Sequence, residues 1–148
     1  KAKYQDKIEF KVIGDGSYIN SHLGIKGTAW SRSNEIDELS KIDIGIMPLK
    51  DDEWAKGKCG CKGLQYMSMG IPSIMSPVGV NTEIIEDGVN GYLPKSDYEW
   101  FDVLSKLIES PELRASMGEK GRQTVIDSFS VLSQRDNYVK FFTEILQK

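Results

Sequence analysis

Long apolar runs are missing from this chain. No stretch approaches the roughly 20 apolar residues that a bilayer-spanning helix needs. Nor does the N-terminus carry the charged, apolar and small-residue blocks of a secretory leader. Cysteine and histidine are scarce. Cys59 and Cys61 are the only thiols, and His22, far off in sequence, is the only imidazole. A zinc site usually takes four such ligands, so no metal is expected, and His22 reads as a surface or turn residue. The C-x-C pair reads as reduced cytoplasmic thiols, with a redox role set aside. Positive charge is in short supply too. The net charge is -3, which argues against nucleic acid, whose phosphates need a basic face. Internal repeats and low-complexity segments are absent.

What remains is the composition of an ordinary globular fold. The chain has 148 residues, 39% of them hydrophobic and 28% charged, which suits one soluble domain. It begins at Lys1 in a polar piece that reads as a helix end, so a piece of a larger protein is expected.

The organising stretch is residues 57–72. It opens with Gly57, Lys58, Gly60 and Lys62 among the two cysteines, runs through one or two helical turns, and stops at Gly70 before Ile71 and Pro72. Glycine just past a helix and proline soon after are stop signals. Residues 73–76 follow as a short apolar strand. Loop, helix and strand therefore come in that order. Free N–H groups at such a helix start favour an anion.

The surrounding chain alternates strands and helices. Residues 8–13 read as a strand, closed by the turn Gly14-Asp15-Gly16. That G-x-G lacks the third glycine of a dinucleotide fingerprint and reads as a simple turn. A shorter strand is expected over 23–28. Asn34 is placed to cap a helix bearing Ile36 and Leu39, and residues 42–48 read as a buried strand. Residues 49–56, with Asp51, Asp52 and Glu53, read as a loop. Asn81 is placed to cap a short helix through Ile84 and Ile85, and Asp87-Gly88 and Asn90-Gly91 are turn dipeptides before a last strand at Tyr92 and Leu93.

From residue 96 onward helices are expected. Ser96 caps one carrying Trp100, Phe101, Leu104, Leu107 and Ile108. Ser110-Pro111 opens a second with Leu113, Met117 and Val125, and Ser130 opens a third with Tyr138, Phe142, Ile145 and Leu146. Strands alternating with helices predict an α/β fold: a Rossmann-like parallel sheet covered by helices. Its binding edge lies at the C-terminal ends of the strands, in loops 14–16, 48–61 and 76–81. Two of these loops begin helices, which favours a negatively charged ligand such as a diphosphate.

The string Leu64-Gln65-Tyr66-Met67-Ser68-Met69-Gly70-Ile71-Pro72-Ser73-Ile74 carries a more specific signal. So do Ser76-Pro77-Val78-Gly79, Glu83-Ile84-Ile85, and Asp87-Gly88-Val89-Asn90-Gly91-Tyr92-Leu93. Together they resemble the donor-binding half of family 4 (group 1) glycosyltransferases of the GT-B fold. Weaker agreement reaches back through residues 12–16 and 42–48 and forward to Arg122, Phe129 and Ser130. The resemblance implies the C-terminal half of a GT-B architecture, with its first strand and helix and the acceptor-binding domain lying outside this sequence. It implies a nucleotide-sugar domain over residues 1–129 and a C-terminal helix over 130–148 that crosses to the other domain.

The activity implied is retaining transfer of a sugar from a nucleotide diphosphate donor to an acceptor glycan or lipid-linked sugar in polysaccharide or glycan synthesis. Neither metal nor further cofactor is implied. The location implied is cytoplasmic, with peripheral association at the inner membrane face. Residues 1–148 alone are expected to be inactive. The family's donor motif is two glutamates separated by seven residues. Here those positions hold Gly57 and Gln65. Gln65 keeps hydrogen-bonding capacity without charge, enough for neutral ribose hydroxyls, whereas Gly57 replaces a carboxylate with nothing. Asp51, Asp52 or Glu53 would reach the sugar only if their loop folds back.

The donor-binding set is therefore Gly57, Lys58, Gly60, Lys62, Gln65, Gly79 and Glu83, with no catalytic residue assigned. Lys58 and Lys62 also fit as plain solvated lysines, Gly60 and Gly79 as turn formers, and Glu83 as a complement to a helix dipole. Trp30 is expected in a half-exposed packing role, and Met67 and Met69 in the core. Two alternatives stay open: a non-catalytic sugar-nucleotide binding module, and a GT-B-fold sugar-nucleotide epimerase.

Overall fold

The structure is a computed structural model and describes residues 1–147. Residue 148, the end of the expected 130–148 segment, lies outside the described residues. The chain divides into two compact units, Lys1–Ile42 and the residues from Asp43 onward.

In the first unit the expected strands are shorter than the sequence suggests. Only β1 (Ile13–Gly14) forms from residues 8–13, and it pairs in parallel with β4 (Thr28–Ala29). The strand expected over 23–28 is split: β3 (Ile25–Lys26) pairs antiparallel with β2 (Ile19–Asn20) instead. Gly27 makes the break. A Cβ there would lie 2.0 Å from the Asp15 carbonyl oxygen, so only glycine lets the two backbones approach this closely. The Gly14–Gly16 turn is held by Asp15, whose Oδ1 accepts from the Ser17 hydroxyl at 2.6 Å and the Ser17 N–H at 2.8 Å. Those bonds, the hydroxyl's first, hold the Asp15 carboxyl below its ordinary range.

Helix α1 (Glu35–Leu39) buries only Leu39, while Ile36 faces outward. Asn34 does not cap it as expected. Its Oδ1 accepts from the Ser31 N–H at 2.9 Å and closes the preceding turn. Glu38, on this helix, is flanked by Lys11 and Lys41. His22 is exposed in a turn and Trp30 is half exposed.

The second unit is built on a parallel sheet. Strands β5 (Gly45–Met47), β6 (Ser73–Met75) and β7 (Gly91–Tyr92) lie in that order, with Ile46 opposite Ile74 and Ile74 opposite Tyr92. β6 is fully buried, as the central strand of a sheet covered on both faces should be. Its side chains alternate between two cores. Met75 joins Met67, Ile84 and Ile85 on one face, and Ile74 joins Val103, Leu107 and Met117 on the other.

The helices that supply those faces are α3 (Cys61–Ser68), α4 (Asn81–Ile84), α5 (Asp97–Glu109) and α6 (Pro111–Thr124). The segment expected as a loop before α3 contains a short helix, α2 (Glu53–Lys56). Ser96 caps α5 as expected; Leu107 is buried with Val103, Trp100 and Leu104 pack against the same core, and of the expected apolar residues Phe101 is exposed instead.

α3 ends in a Schellman turn. Gly70 is left-handed at φ 72°, its N–H donates to Met67, and the Ile71 N–H donates to Tyr66. α6 crosses this turn at Gly118, where a Cβ would fall 1.9 Å from the Gly70 carbonyl oxygen. Arg122 donates to the Ser68 carbonyl, so the residue that carries part of the family resemblance supports the end of α3. After a π-helical turn (Val125–Phe129), Ser130 and Ser133 cap each other reciprocally and open α7 (Val131–Leu146). No residue of α7 is buried.

Candidate functional site

The candidate residues sit where β5 and β6 hand over to α2, α3 and α4. The Ser76 hydroxyl accepts from the Leu49 N–H at 2.8 Å and ties together the segments that follow β5 and β6. Asn81, buried at the start of α4, does not cap it. Its amide donates to the Ser76 carbonyl at 2.9 Å and braces the loop after β6. The sequence reading missed both struts. A capping asparagine and a bracing one precede the same Ile84-Ile85 pattern, and only burial tells them apart.

α2 holds the acidic residues of the segment. Asp52 caps it, Oδ1 accepting from the Ala55 N–H at 2.7 Å. The Lys56 ammonium sits 2.9 Å from Glu53 and 3.6 Å from Asp51, and the bond it donates to Glu53 is the main reason its pKa is raised. Asp51, Asp52 and Glu53 are thus engaged within their own segment.

Gly57 ends α2 at φ -78°, and a Cβ there would meet nothing closer than the Trp54 carbonyl oxygen at 3.6 Å. A Cβ fits here in ordinary contact, and the φ is one any L residue adopts. Gly60 is different. It is buried, left-handed at φ 67° and ψ 13°, and a Cβ would lie 2.4 Å from Ile84 Cδ1. The conformation favours glycine, and an added Cβ would also have to displace the end of the Ile84 side chain. Gly79 is left-handed at φ 55° and would place a Cβ 2.6 Å from the Lys56 carbonyl oxygen. The chain ahead of α3 and the loop after β6 therefore meet backbone to backbone. The structure brings Gly60 against α4 and Gly79 against the end of α2, with Gly57 next along the chain.

Lys58 and Lys62 are exposed on either side of this turn. Lys62 lies in the first turn of α3, ahead of its first full helical bond, from the Leu64 N–H to the Gly60 carbonyl. Its Nζ donates to Gln65 Oε1 at 2.9 Å, so the lysine assigned to phosphate and the glutamine assigned to ribose share one face of α3. Tyr66 packs on Gly45, where a Cβ would come within 2.3 Å of the ring, and burial pushes its phenol pKa up. Glu83 is exposed in the first turn of α4. Cys59 and Cys61 are exposed free thiols. Among the described residues no group of three His, Cys, Asp or Glu is placed to share a metal ion.

This arrangement offers an anion a glycine turn, two flanking ammonium groups and the N–H groups that open α3. A sequence model of the family described as "Glycosyl transferases group 1" matches residues 1–110. The chain belongs to the group 1 glycosyltransferases. It is 24% identical over 158 aligned positions to the N-acetyl-alpha-D-glucosaminyl L-malate synthase of Bacillus anthracis, covering 99% of this chain and 40% of that protein. Among solved structures it is similar to the C-terminal domain of a glycosyl transferase group 1 family protein, LpcC, from Francisella tularensis. That match has a TM-score of 0.60 at 28% identity and covers 74% of this chain and 55% of that one. Anabaena Alr3699/HepE in complex with UDP-glucose shares the fold, with a TM-score of 0.73 at 15% identity over 97% of this chain and 43% of that one. This chain therefore spans about two fifths of that synthase. Among the described residues no helix is long and apolar enough to cross a membrane.

Proposed function

We propose that this chain is the donor-binding half of a retaining glycosyltransferase, holding a nucleotide diphosphate sugar between the turn at residues 57–62 and Gly79. One observation carries the reading: Gly60 and Gly79 are both left-handed and close-packed, Gly79 against the Lys56 backbone, and two lysines flank the resulting turn at the start of α3. Lys58 and Lys62 take the diphosphate, Gln65 the ribose, and Glu83 lies on the α4 side. Transfer proceeds without a metal or a further cofactor, to an acceptor glycan or lipid-linked sugar bound by a separate N-terminal domain. α7, which buries none of its residues here, lies against that domain in the whole enzyme. The enzyme works in the cytoplasm, at or near the inner membrane face, in glycan or polysaccharide synthesis.

A second reading has one observation in its favour. The two family glutamates are replaced by Gly57 and Gln65, and the nearby Asp52 serves as a helix cap. A module that binds the donor without transferring it has the same site and lacks that carboxylate pair. Calorimetry against UDP-, GDP- and ADP-sugars tests what both readings share. Binding to at least one of them is expected, and binding to none would remove the basis of both. Sugar transfer by the chain joined to its acceptor domain then separates the enzyme from the module.

A further inference from the structure

We propose that Cys59 and Cys61 close a reversible disulfide within the loop and so switch the candidate donor site. The backbone between them carries the inference. Gly60 has left-handed helical dihedrals, φ 67° and ψ 13°. A helical residue brings its two neighbouring Cα atoms to about 5.4 Å, from the 2.3 Å radius and 1.5 Å rise of the helix and its mirror image. That is inside the 4.4–6.8 Å range a disulfide spans. An extended residue would set them about 6.6 Å apart, at the edge of that range. Gly60 is buried in this form, a left-handed conformation that glycine adopts without the cost a side chain would bring. Both thiols are exposed and free, so a small oxidant reaches either one.

The exchange balances with a small disulfide as oxidant. One cysteine, as its thiolate, attacks a sulfur of the small disulfide, whose S–S bond breaks and releases one small thiolate. The second cysteine, also as its thiolate, attacks the mixed disulfide and expels the other small thiolate. The two protein thiols are oxidised, the small disulfide is reduced to two thiols, and the two protons leave the cysteines for the released thiolates. A bond closed across a single intervening residue is strained and exposed, which makes it the readily reduced kind. Cys61 is the first residue of α3, and Lys58 and Lys62 directly flank the pair. Closing the bond therefore acts on the backbone that carries both lysines. This consequence rests on the donor-site reading, whereas formation of the bond does not.

The test treats the protein with oxidised glutathione and digests it with trypsin. Cleavage after Lys58 and Lys62 leaves Cys59, Gly60, Cys61 and Lys62 in one peptide. The expected product is that peptide lighter by two hydrogens and restored by dithiothreitol. UDP, GDP or ADP should bind at least about fivefold more weakly to the oxidised protein, a free-energy change of about 1 kcal/mol. Cys61→Ser, which cannot close the bond, should show no oxidant-dependent loss of affinity, whatever its own starting affinity. Glutathione adducts on both cysteines, or chain-to-chain dimers in place of the internal bond, would overturn the proposal. So would a closed bond with unchanged nucleotide affinity. If the reduced parent binds none of the three nucleotides, the donor reading fails and the switch falls with it, and the peptide mass still shows separately whether the bond forms.

Discussion

Replacing Lys62 with alanine removes one ammonium from the turn while leaving α3 intact. Lys62 is exposed, and its bond to Gln65 at 2.9 Å joins residues three apart on one helix face. Such pairs stabilise a helix by about 0.2–0.5 kcal/mol, and alanine is the best helix former. The folded protein should therefore lose no more than about 0.5 kcal/mol. Binding should respond more strongly. A hydrogen bond to a charged group contributes about 1.5–3 kcal/mol net, and 1.4 kcal/mol is a factor of ten in affinity. Taking the lower end, because Lys62 is open to water, Lys62→Ala should weaken nucleoside diphosphate binding about tenfold. The matching nucleoside has no diphosphate and should bind unchanged. Calorimetry with both ligands, alongside thermal melts, reads the three quantities. Equal loss for nucleoside and nucleoside diphosphate would refute the phosphate assignment. A large drop in melting temperature would refute the account of Lys62 as a surface residue.

Gln65→Glu should restore or modestly improve donor binding, and a deoxyribose analogue should lose that benefit; an identical response from both ligands places Gln65 away from the ribose. Gly118→Ala should destabilise the second unit by about 1–3 kcal/mol, as overpacking does, because the neighbouring atom 1.9 Å away is backbone of the Gly70 turn. Gly57→Ala, with only ordinary contacts nearby, is the control; urea melts showing both variants equally stable would contradict the close crossing of α6. Glu38 has its carboxyl pulled down to about 2, first by the bond from Lys11 and then by that from Lys41. A depressed carboxylate contributes stability above its ordinary pKa of 4.5 and loses it as pH falls through the folded value. Carboxyl NMR should then show a midpoint near 2, with the contribution fading between 4.5 and 2 and absent from Glu38→Gln; a midpoint at the ordinary value would remove the ion pairs from the account. Phe142 is 59% exposed on α7; Phe142→Ser should change stability by under about 0.5 kcal/mol and reduce self-association in sedimentation, whereas a strongly destabilised monomer would show that this face packs internally.

Pattern alone revealed the second unit more fully than the first. Around β6 each local signal agrees with its neighbours: Gly70 and Pro72 stop α3, the buried triplet Ser73-Ile74-Met75 follows, and Ser96, Ser110 and Ser130 all act as the caps the sequence suggests. In the first unit the strands are two residues long and carry little periodicity. Their boundaries depend on contacts such as Gly27 against Asp15, which no local pattern encodes. Side-chain direction was the other blind spot. Asn34, Asn81 and Asn90 all fit cap or turn roles by position. Yet Asn81 braces Ser76, while Asn90, in the turn expected of it, is buried and reaches beyond it, accepting from the Glu86 N–H at 2.8 Å and donating to Thr124 at 3.0 Å. An asparagine has both donors and an acceptor, so its partner is decided by what the fold brings near. α2 was read as a loop because four residues are too few to show helical periodicity, although Asp52 three residues before Ala55 was its cap in plain view. The candidate site was legible in residue type. Its geometry was not, because the contact of Gly79 with Lys56 joins segments that are distant in sequence.

The central claim is that the glycine turn and Gly79 grip the diphosphate of a nucleotide sugar. Amide NMR during titration with UDP-, GDP- and ADP-sugars tests it most directly, because each N–H in the turn reports for itself. The account predicts saturable shifts concentrated at Lys58, Gly60, Lys62, Gln65 and Gly79 for at least one donor, and much weaker ones at those residues for the bare nucleoside. Shifts confined to other parts of the chain, or the same pattern with nucleoside alone, would contradict it.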